Sequence, residues 1–307
     1  MIKLKLAILL IFILPQLFGQ KTEKVYLDKK DSSQNYYTII YPPKLPWKGY
    51  IVIVPGFGET TERMFEQTNL AELTAKEGLL TIIPILQDGV LSFGVDSLSQ
   101  QSLNSIIEDV RNKHQLTAQQ FYIGGFSIGG SAAIKYAENA KIKPAAVFGI
   151  DPPLDFERFY NSSKRDLGLT LGKQLNQENL YMVERIEKIF GGTPQTAIAN
   201  FYKISPYSYS DTTQTAVKKF GNIPLRIYAE ADLNWWLRER NADLRSMNVT
   251  DGSALINELN RLGNYRAELI LTENKGYREP NHQRHPHSWS IMDNSDLVEW
   301  LITFSDN

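Results

Sequence analysis

A serine between glycines, a cluster of histidines and a few acidic residues after apolar runs are the groups in this sequence whose types and spacing could do covalent chemistry. Gly125-Phe126-Ser127-Ile128-Gly129-Gly130 follows the apolar run Phe121-Tyr122-Ile123 and leads into Ser131-Ala132-Ala133. A serine hydroxyl becomes a useful nucleophile when a tight strand-to-helix turn pushes it into the open. Such a turn needs small neighbours, because the helix passes close to the strand. Gly-x-Ser-x-Gly arises by chance in many glycine-rich loops, but an apolar strand before it and a helical segment after it are the surroundings a nucleophile elbow requires. The first turn of that helix leaves backbone N–H groups unpaired, so the N–H of Ile128 could donate to an oxyanion.

A serine also needs a base within hydrogen-bond reach, and the base needs a third group to orient it and to stabilise the imidazolium. Three of the four histidines fall in Asn281-His282-Gln283-Arg284-His285-Pro286-His287-Ser288-Trp289, between the last apolar run and the last helical segment. The same spacing, His282-x-x-His285-x-His287 with Asp293 nearby, would also suit zinc, which can use three imidazoles and an open position. Acidic residues close two late apolar runs: Asp151 follows residues 145–150, and Glu230 and Asp232 follow residues 225–229.

Through the elbow, the loop Pro55-Gly56-Phe57-Gly58-Glu59-Thr60 and the histidine cluster, the chain resembles the α/β-hydrolase superfamily of serine esterases and lipases over about residues 36 to 303. The resemblance implies a mostly parallel central sheet with helices on both faces, and triad members in the order serine, acid, histidine. It implies His287 as the base, ahead of His285 and then His282, since His287-Ser288-Trp289 directly precedes the last helix. It implies Asp232 as the acid, with Glu230 and Asp151 retained as alternatives, and the N–H of Phe57 as the second oxyanion donor beside Ile128. Pro55 stands where many relatives carry histidine, a departure the site tolerates because its donors are backbone groups. The implied activity is a serine hydrolase, most simply a carboxylic-ester hydrolase working through an acyl-enzyme on a small-molecule or polymer-linked ester, with no cofactor. Peptidase or thioesterase chemistry uses the same groups, and a catalytically silent exported binding protein on the same scaffold is the alternative from another class.

The elements that must position these groups follow from the apolar pattern. Residues 36–41 and 50–54 are β-branched and aromatic and read as an opening hairpin, the second strand central because its apolar run does not alternate. Residues 79–86, 121–124, 145–150, 225–229 and 266–271 read as further strands. Helical patterns over 62–76, 97–114, 128–139, 253–262 and 290–304 fall between or after them, an alternation that argues a parallel sheet with right-handed crossovers. Between residues 154 and 219 the rhythm breaks into a long polar and tyrosine-rich segment with one clear helix, 178–190, read as a cap inserted over the sheet's C-terminal edge.

Composition bounds the rest. The chain has 307 residues, 42% of them hydrophobic, enough for one large α/β domain. Its formal charge of −1 comes from 33 basic and 34 acidic residues without segregation, so no nucleic-acid partner is expected. The absence of cysteine excludes disulfides, thiolate metal sites and a cysteine nucleophile. Met1-Ile2-Lys3-Leu4-Lys5 is basic and residues 6–17 are almost wholly apolar, a pattern that reads as a secretory signal peptide over residues 1–19. That apolar core is shorter than the roughly 20 residues a membrane span needs. The expectation is a secreted or periplasmic chain, 20–307, with no stable membrane anchor once the signal is removed.

Overall fold

The computed structural model describes residues 21–28, 30–116, 121–169 and 173–304. The expected signal peptide lies outside the described residues. Eight strands form one sheet in the order β1-β2-β4-β3-β5-β6-β7-β8: β1 (Thr22–Tyr26), β2 (Tyr36–Ile40), β3 (Gly49–Val54), β4 (Leu79–Ile85), β5 (Phe121–Phe126), β6 (Ala146–Ile150), β7 (Leu225–Ala229) and β8 (Ala267–Leu271). From β4 to β8 every neighbouring pair is parallel, while β2 runs antiparallel to both β1 and β4. The expected β2–β3 hairpin is therefore not formed. β3 is instead flanked on both sides by parallel strands, as its uninterrupted apolar run allows, and β2 pairs with the chain just before it.

The two faces of the sheet bury separate cores. In β3, Tyr50, Val52 and Val54 face one core and Ile51 and Ile53 the other, the two-residue period of a strand covered on both sides. The first core is completed by α3 (Ser97–His114), α4 (Ile128–Asn139), α8 (Thr215–Phe220) and α10 (Val249–Arg261). The second is completed by α1 (Thr61–Gln67), α2 (Leu70–Lys76) and α11 (Asn294–Ile302). The single helix read over 62–76 is split in two. Thr68 leaves helical geometry at φ −151° and its hydroxyl accepts the N–H of Leu70, so one residue ends the first helix and starts the second.

Between β6 and β7 lie α5 (Phe156–Gly168), α6 (Lys173–Phe190) and α7 (Pro194–Ile204), followed by α8. Phe156, Tyr160, Val183, Ile186, Phe190 and Phe201 from α5, α6 and α7 bury together with Phe93 and Ile128, so these helices pack directly beside the start of α4. A ninth helix, α9 (Leu233–Arg240), follows β7, and a short hairpin of β9 (Tyr277–Arg278) and β10 (Gln283–Arg284) precedes the final turn and α11. Among the described residues no helix is long and apolar enough to cross a membrane.

Candidate active site

Ser127 sits at the corner between β5 and α4 with φ +53° and ψ −126°, a conformation that non-glycine residues rarely hold and that costs of order 1–3 kcal/mol. The sequence makes the corner possible by omission. A Cβ on Gly129 would stand 2.1 Å from the carbonyl oxygen of Val54 and 2.4 Å from that of Pro55, and one on Gly125 would stand 2.4 Å from the same Val54 oxygen. Only hydrogen fits there, so α4 can start against the end of β3 and leave the hydroxyl outside.

His287 Nε2 lies 2.9 Å from Ser127 Oγ, and His287 Nδ1 lies 2.6 Å from Asp151 Oδ2. Serine, imidazole and carboxylate thus form one continuous hydrogen-bonded chain. The position of Asp151 follows from register. Phe126 pairs with Ile150 across β5 and β6, so the next residues, Ser127 and Asp151, end adjacent strands side by side. Both are at positive φ, and the Asp151 backbone at +46° is held by a hydrogen bond from the side-chain amide of Asn248 to its carbonyl.

Asp232, the expected acid, does not touch His287. Ile150 pairs with Tyr228 across β6 and β7, which sets Asp151 level with Ala229 and leaves Asp232 three residues further on, two strands from the serine. With strands roughly 4.8 Å apart, that is about 9–10 Å sideways before any rise. Asp232 instead caps α9, accepting the N–H of Trp235 at 3.0 Å, and pairs with Arg284 at 2.7 Å. Glu230 is buried and accepts the N–H groups of Lys275 and Gly276 at 2.9 and 3.0 Å, with Arg284 against it. The other two histidines separate as well. His282 hydrogen-bonds Glu279 at 2.9 Å and stacks on Tyr277, whereas His285 is buried against Trp235. The three imidazoles face three different partners, and among the described residues no group of His, Cys, Asp or Glu is arranged to hold a metal ion.

The oxyanion donors expected from sequence lie at the same cleft. Glu59 N–H donates to the Gly56 carbonyl at 3.1 Å, closing a turn in which Gly58 takes φ +76°, open to glycine at little cost, and Gly58 N–H donates to the Val90 carbonyl at 2.7 Å. Those bonds leave the Phe57 N–H without a partner among the described residues; the Ile128 N–H, the first of α4, has none either. Both residues, with Ser127, Asp151 and His287, line one cleft of about 370 Å³, walled by Phe126, Phe159 and Met182 and by Trp236, Arg240, Arg278 and His285. A larger cavity of about 670 Å³ around Asp155, Arg158 and Asp251 does not include Ser127. Its Arg158 is engaged by both oxygens of Asp251 at 2.6 Å, so it is a site of cohesion rather than of reaction.

Glu59 was missed by sequence reasoning. Its buried carboxylate accepts the Gly56 N–H at 2.9 Å with one oxygen and Trp289 Nε1–H at 2.9 Å with the other, joining the oxyanion turn to the turn just past His287. Burial raises its pKa above the usual carboxylate range, and the two donors pull against that rise. The Phe126 ring packs 4.7 Å from the His287 ring and 5.3 Å from that of Trp289, so the imidazole is backed by aromatic surface. The only sequence signal for Glu59 was its place immediately after Gly56-Phe57-Gly58.

No family model matches the chain, and no curated protein is similar to it in sequence. Solved structures are similar in shape. An S-formylglutathione hydrolase from Agrobacterium tumefaciens superposes with a TM-score of 0.58 at 13% identity, covering 94% of this chain and 96% of that one. Esterase B from Lactobacillus rhamnosis gives 0.59 at 13% identity over 93% and 86%, and the fluorophosphonate-binding serine hydrolase F from Staphylococcus aureus gives 0.51 at 11% identity over 93% and 99%. Strand order, parallel pairing, helices on both faces and these superpositions agree: the chain has the α/β-hydrolase fold of the serine hydrolases and esterases.

Proposed function

We propose that this protein is an exported serine hydrolase that cleaves carboxylic esters through an acyl-enzyme, with Ser127 as nucleophile, His287 as base and Asp151 as the acid. The observation that carries the reading is the unbroken chain from Ser127 Oγ through His287 to Asp151, at 2.9 and 2.6 Å, opening into a cleft with two free backbone donors. Ser127 Oγ attacks the ester carbonyl while His287 Nε2 takes its proton. The N–H groups of Phe57 and Ile128 hold the oxyanion, Asp151 stabilises the imidazolium, and His287 returns the proton to the leaving alcohol. Water then repeats the sequence on the acyl-enzyme. A cleft near 370 Å³ lies at the small end of the range for ligand sites, which favours short acyl groups. The esterase and hydrolase neighbours support the reaction class, and the basic-apolar N-terminus supports export.

The test is labelling with a fluorophosphonate probe together with hydrolysis of 4-nitrophenyl esters of two to eight carbons. Labelling and turnover that vanish in Ser127→Ala, with the thermal melting curve preserved, are expected. A wild-type protein that neither labels nor turns over any ester would overturn the reading in favour of a silent binding protein.

A further inference from the structure

One wall of the Ser127 cleft is rich in donors and poor in acceptors. Arg278, on β9, gives its Nε–H and one Nη2–H to the carbonyl of His287, at 3.2 and 2.8 Å. Its Nη1 has no partner, and among the described residues it forms no ion pair. The carboxylates on the cleft are already matched: Asp151 with His287 at 2.6 Å, Glu178 with Arg240 at 3.1 Å and Asp166 with Arg165 at 3.2 Å. Arg278 is therefore the cation of the cleft with no carboxylate in contact; the buried Glu59, held by neutral donors, acts on it only through space. Burial weighs most on its pKa and lowers it, and the foremost charged neighbour, Arg240, is of like sign and lowers it further, ahead of Glu59 and Glu178.

Beside it, His285 is only 8% exposed. Its Nδ1 accepts the N–H of His287 at 3.2 Å, which puts the ring proton on Nε2, and that buried Nε2 has no partner. Burial, with Arg278 and His287 adding to it, holds the imidazole neutral, its pKa down to about 2. Both residues line the cleft that holds the nucleophile: a guanidinium with no carboxylate in contact, and behind it a neutral imidazole whose buried Nε2–H has no acceptor. A guanidinium with no carboxylate in contact matches a monoanion, and its planar fork fits a carboxylate.

We infer that the Arg278 and His285 wall binds a carboxylate carried by the substrate, so that the cleft prefers esters with a free acid group within reach of the scissile carbonyl. This rests on the serine-hydrolase reading of the cleft for the word ester, but not for the binding of the acid.

The experiment compares kcat/KM for mono(4-nitrophenyl) adipate and 4-nitrophenyl hexanoate, which differ in a carboxylate against a methyl. A charge-assisted hydrogen bond predicts a preference for the acid ester of about tenfold or more at low salt, shrinking as sodium chloride is added. In Arg278→Gln both rates fall, because the His287 carbonyl loses its support, and the ratio approaches one; Arg278→Lys retains part of the preference. Equal rates in the wild type, or a preference that survives Arg278→Gln, overturn the inference while leaving the hydrolase intact. Should Arg278→Gln fail to fold, the salt dependence of the wild-type ratio and the Arg278→Lys ratio decide. If the wild type turns over neither ester and does not label, the hydrolase reading has failed. Calorimetric binding of monoethyl adipate to Ser127→Ala then decides the wall: binding weakened about tenfold by adding Arg278→Lys or Arg278→Gln supports it, and no binding, or binding indifferent to both, rejects it.

Discussion

Exchanging Asp151 for asparagine, with Asp232→Asn as its counterpart, tests the geometry at its least obvious point. Asp151 Oδ2 stands 2.6 Å from His287 Nδ1, and its side chain is 9% exposed, so the carboxylate faces the imidazolium in the transition state with little water between them. Placing the two charge centres about 4 Å apart at an effective dielectric near 20 gives about 4 kcal/mol, or three decades in rate. Asparagine keeps the shape but can present its NH₂ to Nδ1, which moves the ring proton to Nε2 and removes the base. A neutral amide at this place in a serine triad costs about 10⁴ in kcat. The expectation for Asp151→Asn is thus a loss of 10³ to 10⁴ in kcat, with KM little changed and fluorophosphonate labelling slowed in proportion. Asp232→Asn should stay within about threefold, since asparagine still caps α9 and Arg284 keeps Glu230. Steady-state kinetics on a short 4-nitrophenyl ester measures both. Should Asp232→Asn prove the crippled enzyme and Asp151→Asn the active one, the register argument that set Asp151 beside the serine is wrong.

Glu59→Gln keeps one of the two bonds that join the oxyanion turn to Trp289 and sets an NH₂ against the other donor; kcat should fall about tenfold with KM nearly constant, and the melting temperature should drop by the few degrees that 1–3 kcal/mol produces. Gly129→Ala should prevent stable folding or cost more than about 3 kcal/mol, because its Cβ would meet two backbone oxygens that cannot move apart; urea denaturation checks this. His285 is held neutral in the fold, with a pKa of about 2 against about 6.5 in the unfolded chain. Between those values the unfolded state binds the extra proton, so the cost of keeping His285 neutral is absent above pH 6.5 and grows as pH falls, by about 1.4 kcal/mol per unit. His285→Gln should therefore flatten the loss of stability between pH 6.5 and 4.5 relative to wild type; the difference between the two curves is the readout, because the buried Asp155, raised to about 6, pulls the other way below that value.

The parts of the site written in contiguous residues were legible. Gly125-Phe126-Ser127-Ile128-Gly129 specifies a corner because the clashes it avoids are with strand and helix backbone that any βα unit brings together. Gly56-Phe57-Gly58 specifies a turn because only glycine enters its third position at little cost. The resemblance to the superfamily, with His287-Ser288-Trp289 directly before the last helix, pointed to His287 ahead of His285 and His282, and the alternation of strands and helices was enough for a mostly parallel sheet. What the sequence could not carry was the identity of lateral neighbours. Asp151, Glu230 and Asp232 all follow strands and look alike as text. Strand order set one of them beside Ser127, and Arg284, 52 residues beyond Asp232, occupied the other two. The same holds for β2, whose partner is β4 rather than β3, for Glu59, whose role depends on Trp289, and for Arg278, which stands out only once every carboxylate around it is seen to be taken. Local steric demands are encoded where they act, within a few residues; hydrogen-bond and charge pairing between distant segments depends on register and on competition among partners, and those exist only after the sheet has formed.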